Sequence, residues 1–168
     1  MILRAAKISE IDQIWEIIQY AIAQRKADGS TQWQDGYPNE NTIQTDINQG
    51  YGYVIEEEGT ILLYAAVIFG IEPAYEDIEG KWLSSNEDYV VLHRVAAAPL
   101  AKGKSIATKF FQLVENLCIK KKVYSIKVDT NFDNMAMLRI LEKLDYTYCG
   151  EVYFRGAARK AFEKVLPR

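Results

Sequence analysis

The spacing of apolar residues divides the chain into strands and helices. Short apolar runs bounded by turn residues predict strands, and apolar residues three or four positions apart predict amphipathic helices. The predicted strands are 2–6, 51–56, 60–70, 88–98, 124–130, 147–154 and 159–165, and the predicted helices are 11–27, 39–49, 106–118 and 134–144. We therefore expect one α+β domain over residues 1–168, built on a mixed sheet.

The composition restricts the functional classes. The chain has 168 residues, 49% of them apolar and 26% charged, which suits one ordinary domain with its own core. Its net charge of -3 offers no basic excess for nucleic acid, and no stretch approaches the roughly 18–20 apolar residues that cross a bilayer. The start of the chain lacks a signal-peptide pattern, and Cys118 and Cys149 lack metal-ligand spacing. We therefore expect a cytoplasmic protein without metal, membrane or nucleic-acid partners.

The segment from Val91 to Phe111 joins a predicted strand to a predicted helix through a turn that contains Gly103. The first N–H groups of a helix are unpaired and lie at the positive end of its dipole, so they attract anions. Lys102 and Lys104 add positive charge beside them. This turn fits a pyrophosphate, as found in nucleotides and in coenzyme A. The chain lacks Gly-x-Gly-x-x-Gly and Gly-x-x-x-x-Gly-Lys-Ser/Thr, which argues against a nucleotide-binding domain.

Two segments together resemble the GNAT superfamily of acyl-CoA-dependent N-acetyltransferases. The family motif Gln/Arg-x-x-Gly-x-Gly/Ala corresponds to residues 100–105, where Leu100 and Ser105 depart from it. Residues 126–146 resemble the family's strand, asparagine, helix and Lys-x-Gly-Phe turn, with Asp-Tyr in place of Gly-Phe. Asn134 stands at the position of the family asparagine that contacts pantetheine.

The resemblance implies the architecture and the donor site. It implies a three-layer αβα fold with a mixed, mostly antiparallel sheet of six to seven strands and about four helices. Two central parallel strands splay apart, a bulge opens the first of them, and the pantetheine arm of acetyl-CoA enters between them. The implied cofactor-binding residues are Val95, Ala96, Ala97, Lys102, Gly103, Lys104, Ser105, Ile106, Ala107, Thr108, Asn131 and Asn134.

The reaction implied by the resemblance needs a base, because a primary amine attacks only in its neutral form. His93 is the only histidine, and imidazole is suited to proton transfer near neutral pH. It is a candidate base, and equally a strand residue bonded to the scaffold. The tyrosine that serves many family members as general acid is replaced by Leu141, and Tyr146 is interpreted as a packed aromatic residue.

The two long predicted loops, 30–38 and 71–87, carry the candidate acceptor-binding residues Trp33, Tyr37, Tyr75 and Trp82. Loop aromatics either bind a ligand or pack on the core as a lid, and both interpretations stay open here. Acidic residues in the same loops favour a cationic amine acceptor. The alternative function is a non-catalytic acyl-CoA-binding or regulatory module, which the missing tyrosine supports. A homodimer is left open.

Overall fold

The computed structural model describes residues 1–168 as eight strands and five helices. Two short 3-10 turns precede α1 and follow β5, at Ile8–Glu10 and Pro99–Ala101. None of the helices is long and apolar enough to cross a membrane. The strands are β1 (Ile2–Ala5), β2 (Gly52–Glu57), β3 (Thr60–Phe69), β4 (Glu79–Gly80), β5 (Val90–Ala97), β6 (Ser125–Thr130), β7 (Thr147–Phe154) and β8 (Ala157–Val165), and the helices are α1 (Ile11–Ala27), α2 (Glu40–Asn48), α3 (Pro73–Glu76), α4 (Ile106–Lys120) and α5 (Met135–Lys143).

The strands are hydrogen-bonded in the order β1-β2-β3-β5-β6-β8-β7-β4. The strands β5 and β6 run parallel, whereas the pairs β1-β2, β2-β3, β6-β8, β7-β8 and β4-β7 are antiparallel. The predicted mixed, mostly antiparallel sheet with a central parallel pair is therefore confirmed. The predicted counts of six to seven strands and about four helices are too low, because β4 and α3 are very short.

Both additional elements lie within residues 71–87, where the sequence predicts only a loop. The helix α3 has Glu72 as its N-cap, with the Glu72 carboxylate accepting from the N–H of Ala74, and Pro73 at its first position. Proline is favoured there because its missing N–H would have no partner in the helix. The two-residue β4 pairs with β7 through Gly80 and Gly150. Neither glycine has room for a Cβ, because each faces the backbone of the other strand.

The chain divides into two compact units. The first consists of residues 1–67 and 94–113. Its strand order is β1-β2-β3-β5, and α1 and α2 share one apolar cluster with these strands. The cluster contains Ile14 and Ile18 from α1, Ile43 from α2, and Tyr64 from β3, all of which are fully buried. The helical spacing of the α1 isoleucines predicts this packing directly.

The second unit consists of residues 68–93 and 114–168. In this unit β6 lies between β5 and β8, and β7 pairs with β8 and β4. The recorded parallel register comprises three pairs, from Val90 with Ile126 to Leu92 with Val128. The parallel pairing therefore ends immediately before His93 and its β6 neighbour Asp129. This end of the strand pair positions the polar cluster described below.

Candidate active site

The glycine turn in the first unit has the backbone of an anion site. Gly103 and Ser105 both have positive φ, 83° and 51°, and helix α4 begins directly after Ser105. The N–H groups of the first α4 residues have no partner within the helix. Open space surrounds Gly103, and the side chains of Lys102 and Lys104 are exposed beside it. Within the turn, the N–H groups of Lys102 and Lys104 already donate to the carbonyl oxygens of Pro99 and Ala101, so the amides left for an anion are those of Gly103 and of the first residues of α4, with the two lysine side chains beside them.

Strand β5 carries the expected irregularity immediately before Val95, Ala96 and Ala97. Arg94 has a φ of 55°, which is unusual for a strand residue with a side chain. Of the three predicted residues, Ala96 is buried, whereas Val95 and Ala97 are half-buried. A left-handed residue within a strand interrupts regular hydrogen bonding and turns the following residues.

The Arg94 side chain holds this irregularity in place. Its guanidinium forms a bidentate ion pair with Asp46 of α2, with Nε at 2.8 Å and Nη2 at 2.6 Å from the two carboxylate oxygens. Nη1 donates to the hydroxyl of Tyr37 at 2.7 Å, and the hydroxyl of Tyr64 donates to Asp46 at 2.7 Å. Burial opposes the charge of Arg94, but the Asp46 carboxylate gives its pKa a net increase. This network is referred to below as the Arg94 network.

His93 in the second unit lies between two carboxylates. Its Nε2 is 3.5 Å from Glu72 Oε2, and its Nδ1 is 3.8 Å from Asp129 Oδ2. The imidazole is 15% exposed, so a small molecule can reach it, whereas Asp129 is 4% exposed. Imidazole is a common general base in proteins, and here one carboxylate lies on each side of the ring.

Asp129 is fixed by further contacts. Tyr75 donates its hydroxyl hydrogen bond to Asp129 Oδ2 at 2.6 Å, and Nη1 of Arg159 lies 3.8 Å from Oδ1. Burial raises the pKa of Tyr75 well above its usual value, and the Asp129 charge adds to this rise. The tyrosine therefore remains a donor. Together, Glu72, Tyr75, His93, Asp129 and Arg159 form what we call the His93 cluster.

The four predicted acceptor-binding aromatics occupy different environments. Trp33 has a φ of 64° and is half-buried against the apolar cluster of the first unit. Tyr37 is also half-buried and belongs to the Arg94 network. Tyr75 is fully buried, so its place is that of a packed core residue. The half-buried Trp82 contacts Tyr75 at a ring-centroid distance of 5.2 Å and donates from Nε1 to its carbonyl oxygen.

The two predicted asparagines shape the start of α5. Asn134 is the N-cap, and its side-chain oxygen accepts from the N–H of Met137 at 3.2 Å. Asn131 donates to the Asp133 carboxylate at 2.7 Å. Both asparagines are half-buried, and these contacts leave further amide capacity for a ligand.

The residues near the end of α5 provide no accessible general acid. Leu141 is fully buried in the core, and Tyr146 is 7% exposed. Burial raises the pKa of the Tyr146 hydroxyl well above its usual value. Asp145 adopts a φ of 65° in the turn where the family uses glycine. The structure thus agrees with the interpretation of Tyr146 as a packed aromatic residue.

Sequence reasoning identified His93 but missed most of the groups around it. Asp129 gives little local signal, because four of the six residues of β6, Ser-Ile-Lys-Val-Asp-Thr, are polar or charged. Glu72 is one of the acidic loop residues that favour a cationic acceptor, and Arg159 begins the last predicted strand without any further signal. Arg94 and Asp46 gave no signal, because they are 48 residues apart and each resembles an ordinary surface charge.

Comparisons with known proteins agree with the geometry. The model of the acetyltransferase (GNAT) family matches residues 13–146. A GNAT-family acetyltransferase from Streptococcus agalactiae is 42% identical, with a TM-score of 0.89 over 99% of this chain and 95% of that one. A putative acetyltransferase from Staphylococcus aureus is 25% identical, with a TM-score of 0.75 over 99% of this chain and 100% of that one.

A more distant structure contains a ligand. The protein yncA from Salmonella typhimurium, a putative acetyltransferase solved with its cofactor acetyl-CoA, shares the fold. Its identity is 18% and its TM-score 0.67, over 100% of this chain and 95% of that one. The sequence matches no curated protein.

Proposed function

The chain belongs to the acetyltransferase (GNAT) family, and we propose that it transfers the acetyl group of acetyl-CoA to a primary amine by direct attack. The observation that carries this proposal is the position of His93 between the carboxylates of Glu72 and Asp129. It supplies the base that the reaction needs and a negative environment for a protonated amine. The ligand in the Salmonella protein supports acetyl-CoA as the donor.

The donor is held mainly by backbone groups. The N–H groups of Gly103 and of residues 105–108 bind the pyrophosphate, because that of Lys104 already donates to Ala101, and helix α4 contributes the positive end of its dipole. Lys102 and Lys104 add screened surface charge, which contributes little to affinity. Backbone N–H groups of 95–97 stabilise the negative charge that develops on the thioester oxygen. Asn131 and Asn134 hydrogen-bond the pantetheine arm. Acetyl-CoA itself supplies an acyl group activated for attack.

The acceptor is recognised by charge and then deprotonated. A primary alkylamine has a pKa of about 10.4, so it arrives as an ammonium at neutral pH. Glu72 and Asp129 attract that cation, and His93 takes its proton directly or through a water molecule. The resulting imidazolium remains paired with the same two carboxylates. The loops that carry Trp33, Tyr37 and Trp82 contribute the remaining contacts to the acceptor.

The leaving thiolate receives no proton from a side chain of α5. Leu141 cannot donate one, and the buried Tyr146 hydroxyl keeps its proton because burial raises its pKa. We infer that water protonates coenzyme A. Proximity, charge stabilisation by backbone amides and the His93 base are then the main catalytic contributions.

The test is an acceptor screen that measures free thiol released from acetyl-CoA. Cationic primary amines, such as diamines and peptides with a free N-terminus, should accelerate thiol release, and a matched set of acidic amines should be poorer. Calorimetry with acetyl-CoA runs in parallel. Tight acetyl-CoA binding without turnover for any amine would instead establish a non-catalytic acyl-CoA-binding module.

A further inference from the structure

A pocket of about 640 Å³ lies in the second unit beneath the segment that joins β3 to β5. Ligand pockets are commonly of roughly 300–1,000 Å³, so this space can hold a small organic molecule. Its walls include the aromatic rings of Phe69, Tyr75, Trp82 and Tyr89. The proposed donor turn and His93 do not line it.

Lys127 of β6 lines this pocket and is only 4% exposed. Its Nζ lies 4.5 Å from the ring centroid of Trp82 and 3.9 Å from that of Tyr89. It forms no ion pair within 4.0 Å and no hydrogen bond. Although the residue is nearly buried, its ammonium borders the pocket and contacts only the two rings within the chain, so it is open to a partner in the pocket.

The nearest candidate partner within the chain is already engaged. Glu163 lies directly opposite Lys127 in the antiparallel register with β8, and it is fully buried. Its carboxylate accepts from the N–H of Leu83 at 2.7 Å and from the Ser125 hydroxyl at 2.6 Å, and also from the N–H and hydroxyl of Ser84. These donors occupy the lone pairs of the carboxylate and hold it in place.

Lys127 is the only basic residue that lines the pocket, whose lining also includes Glu76, Glu87 and Asp88. Burial lowers the pKa of its ammonium, and the more distant Glu163 and Glu76 charges oppose this only in part. At the rim, Glu76 accepts from the Tyr89 hydroxyl at 3.2 Å, and Glu87 is paired with Arg168 at 3.0 Å. An anion inside the pocket would supply the missing partner of Lys127.

We propose that this pocket binds a small carboxylate with a flat apolar body, in which the carboxylate pairs with Lys127 and the body packs on the aromatic walls. The positive charge of Lys127 favours an anionic group on the ligand, and the aromatic walls favour a ligand with an aromatic or similarly flat body. Asn86 at the rim can hydrogen-bond one edge of the ligand. Tyr75 and Trp82 belong to this pocket as well as to the proposed acceptor side, but the inference does not rest on acetyl transfer, because its charge partner is Lys127 and its test uses no acetyl-CoA.

The experiment compares carboxylates with their uncharged amides by titration calorimetry, without acetyl-CoA. The probes are benzoate and phenylacetate, each beside its amide. We expect each carboxylate to bind at least about tenfold more tightly than its amide, because a hydrogen bond to a charged group is worth at least that factor. Lys127→Met should remove this difference. Lys143→Met, which changes an exposed lysine of α5, should leave it unchanged.

Three outcomes would overturn the proposal: neither carboxylate binds, carboxylate and amide bind equally, or Lys127→Met keeps the preference for the carboxylate. Thermal unfolding checks that the variant is folded. Methionine should be tolerated, because it replaces an unpaired buried charge with an apolar chain of similar length. If Lys127→Met does not fold, Lys127→Gln removes the charge while keeping a polar group and gives the same comparison.

Discussion

Removing the carboxylate of Asp46 tests whether the Arg94 network supports both the fold and the donor site. The ion pair is well shielded, with the Arg94 side chain 11% and the Asp46 side chain 5% exposed. Asp46→Ala leaves the guanidinium without its bidentate partner and the buried Tyr64 hydroxyl without its acceptor. Both groups lie where water cannot fully replace the lost contacts. The substitution should therefore destabilise the protein far more than the loss of a surface charge.

The expected size follows from the burial of the pair. Breaking a buried ion pair by removing one partner costs about 3–5 kcal/mol, mostly because the other charge remains uncompensated. For a chain of this length, each kcal/mol lowers the melting temperature by about 2–4 °C, so the total decrease is roughly 6–20 °C. Surface charges are different. In the parent protein, Nζ of Lys104 lies 3.6 Å from the Glu57 carboxylate, and both side chains are substantially exposed. Lys104→Ala should therefore lower the free energy of unfolding by no more than about 1 kcal/mol.

Calorimetric unfolding of the two variants beside the parent gives the first measurement. A loss below about 1 kcal/mol in Asp46→Ala would refute the reasoning, because it would mean that the pair is hydrated or its partner relaxes freely. A second variant separates stability from positioning. The combination of Arg94→Met, Asp46→Leu and Tyr64→Phe replaces the polar groups with apolar ones, which can restore stability.

The restored variant should still be a poor enzyme. The left-handed conformation of Arg94 costs roughly 1–2 kcal/mol, and the ion pair no longer offsets that cost. The strand should then relax toward regular geometry and displace the amides that follow. We expect kcat/KM for acetyl-CoA to fall by about 10²-fold, the effect of a displacement of about 1 Å at a reacting centre. Normal kinetics in a stable variant would show that the network serves the fold alone.

Three further predictions concern the donor, the acceptor and the base. Gly103→Pro should abolish acetyl-CoA binding in calorimetry, because proline cannot adopt the φ of 83° and lacks an N–H, whereas Lys102→Ala should weaken binding only slightly. Trp33→Ala and Trp82→Ala should raise KM for the amine more than KM for acetyl-CoA, and equal changes in both constants would contradict an acceptor role. His93→Gln should lower kcat at saturating acetyl-CoA by about 10²-fold, and an unchanged kcat in that variant would exclude His93 as the base.

Most of the fold is predictable because it follows from local periodicity. The apolar spacing from Ile11 to Ile22 predicts a helix that ends before Asp28, and α1 is observed at Ile11–Ala27; the strand predicted at 88–98 is observed at Val90–Ala97. The failures have a common cause. The helix α3 and strand β4 are too short to show a periodic spacing of apolar residues. The helix depends on its cap, Glu72, and the strand depends on the contact between Gly80 and Gly150. Such elements are determined by their neighbours in space rather than by their own sequence.

The candidate site is predictable only where its chemistry is local in sequence. The glycine turn is continuous, so its amides could be identified in advance. The His93 cluster is assembled from β5, β6, β8, the short helix α3 and the residue that caps it. Because Leu92 pairs with Val128 and side chains alternate along a strand, His93 and Asp129 must emerge on the same face of the sheet. That conclusion requires the register, and a shift of one residue would have placed Asp129 on the opposite face. Register is a property of the folded sheet, and for this reason the partners of His93 are visible only in the structure.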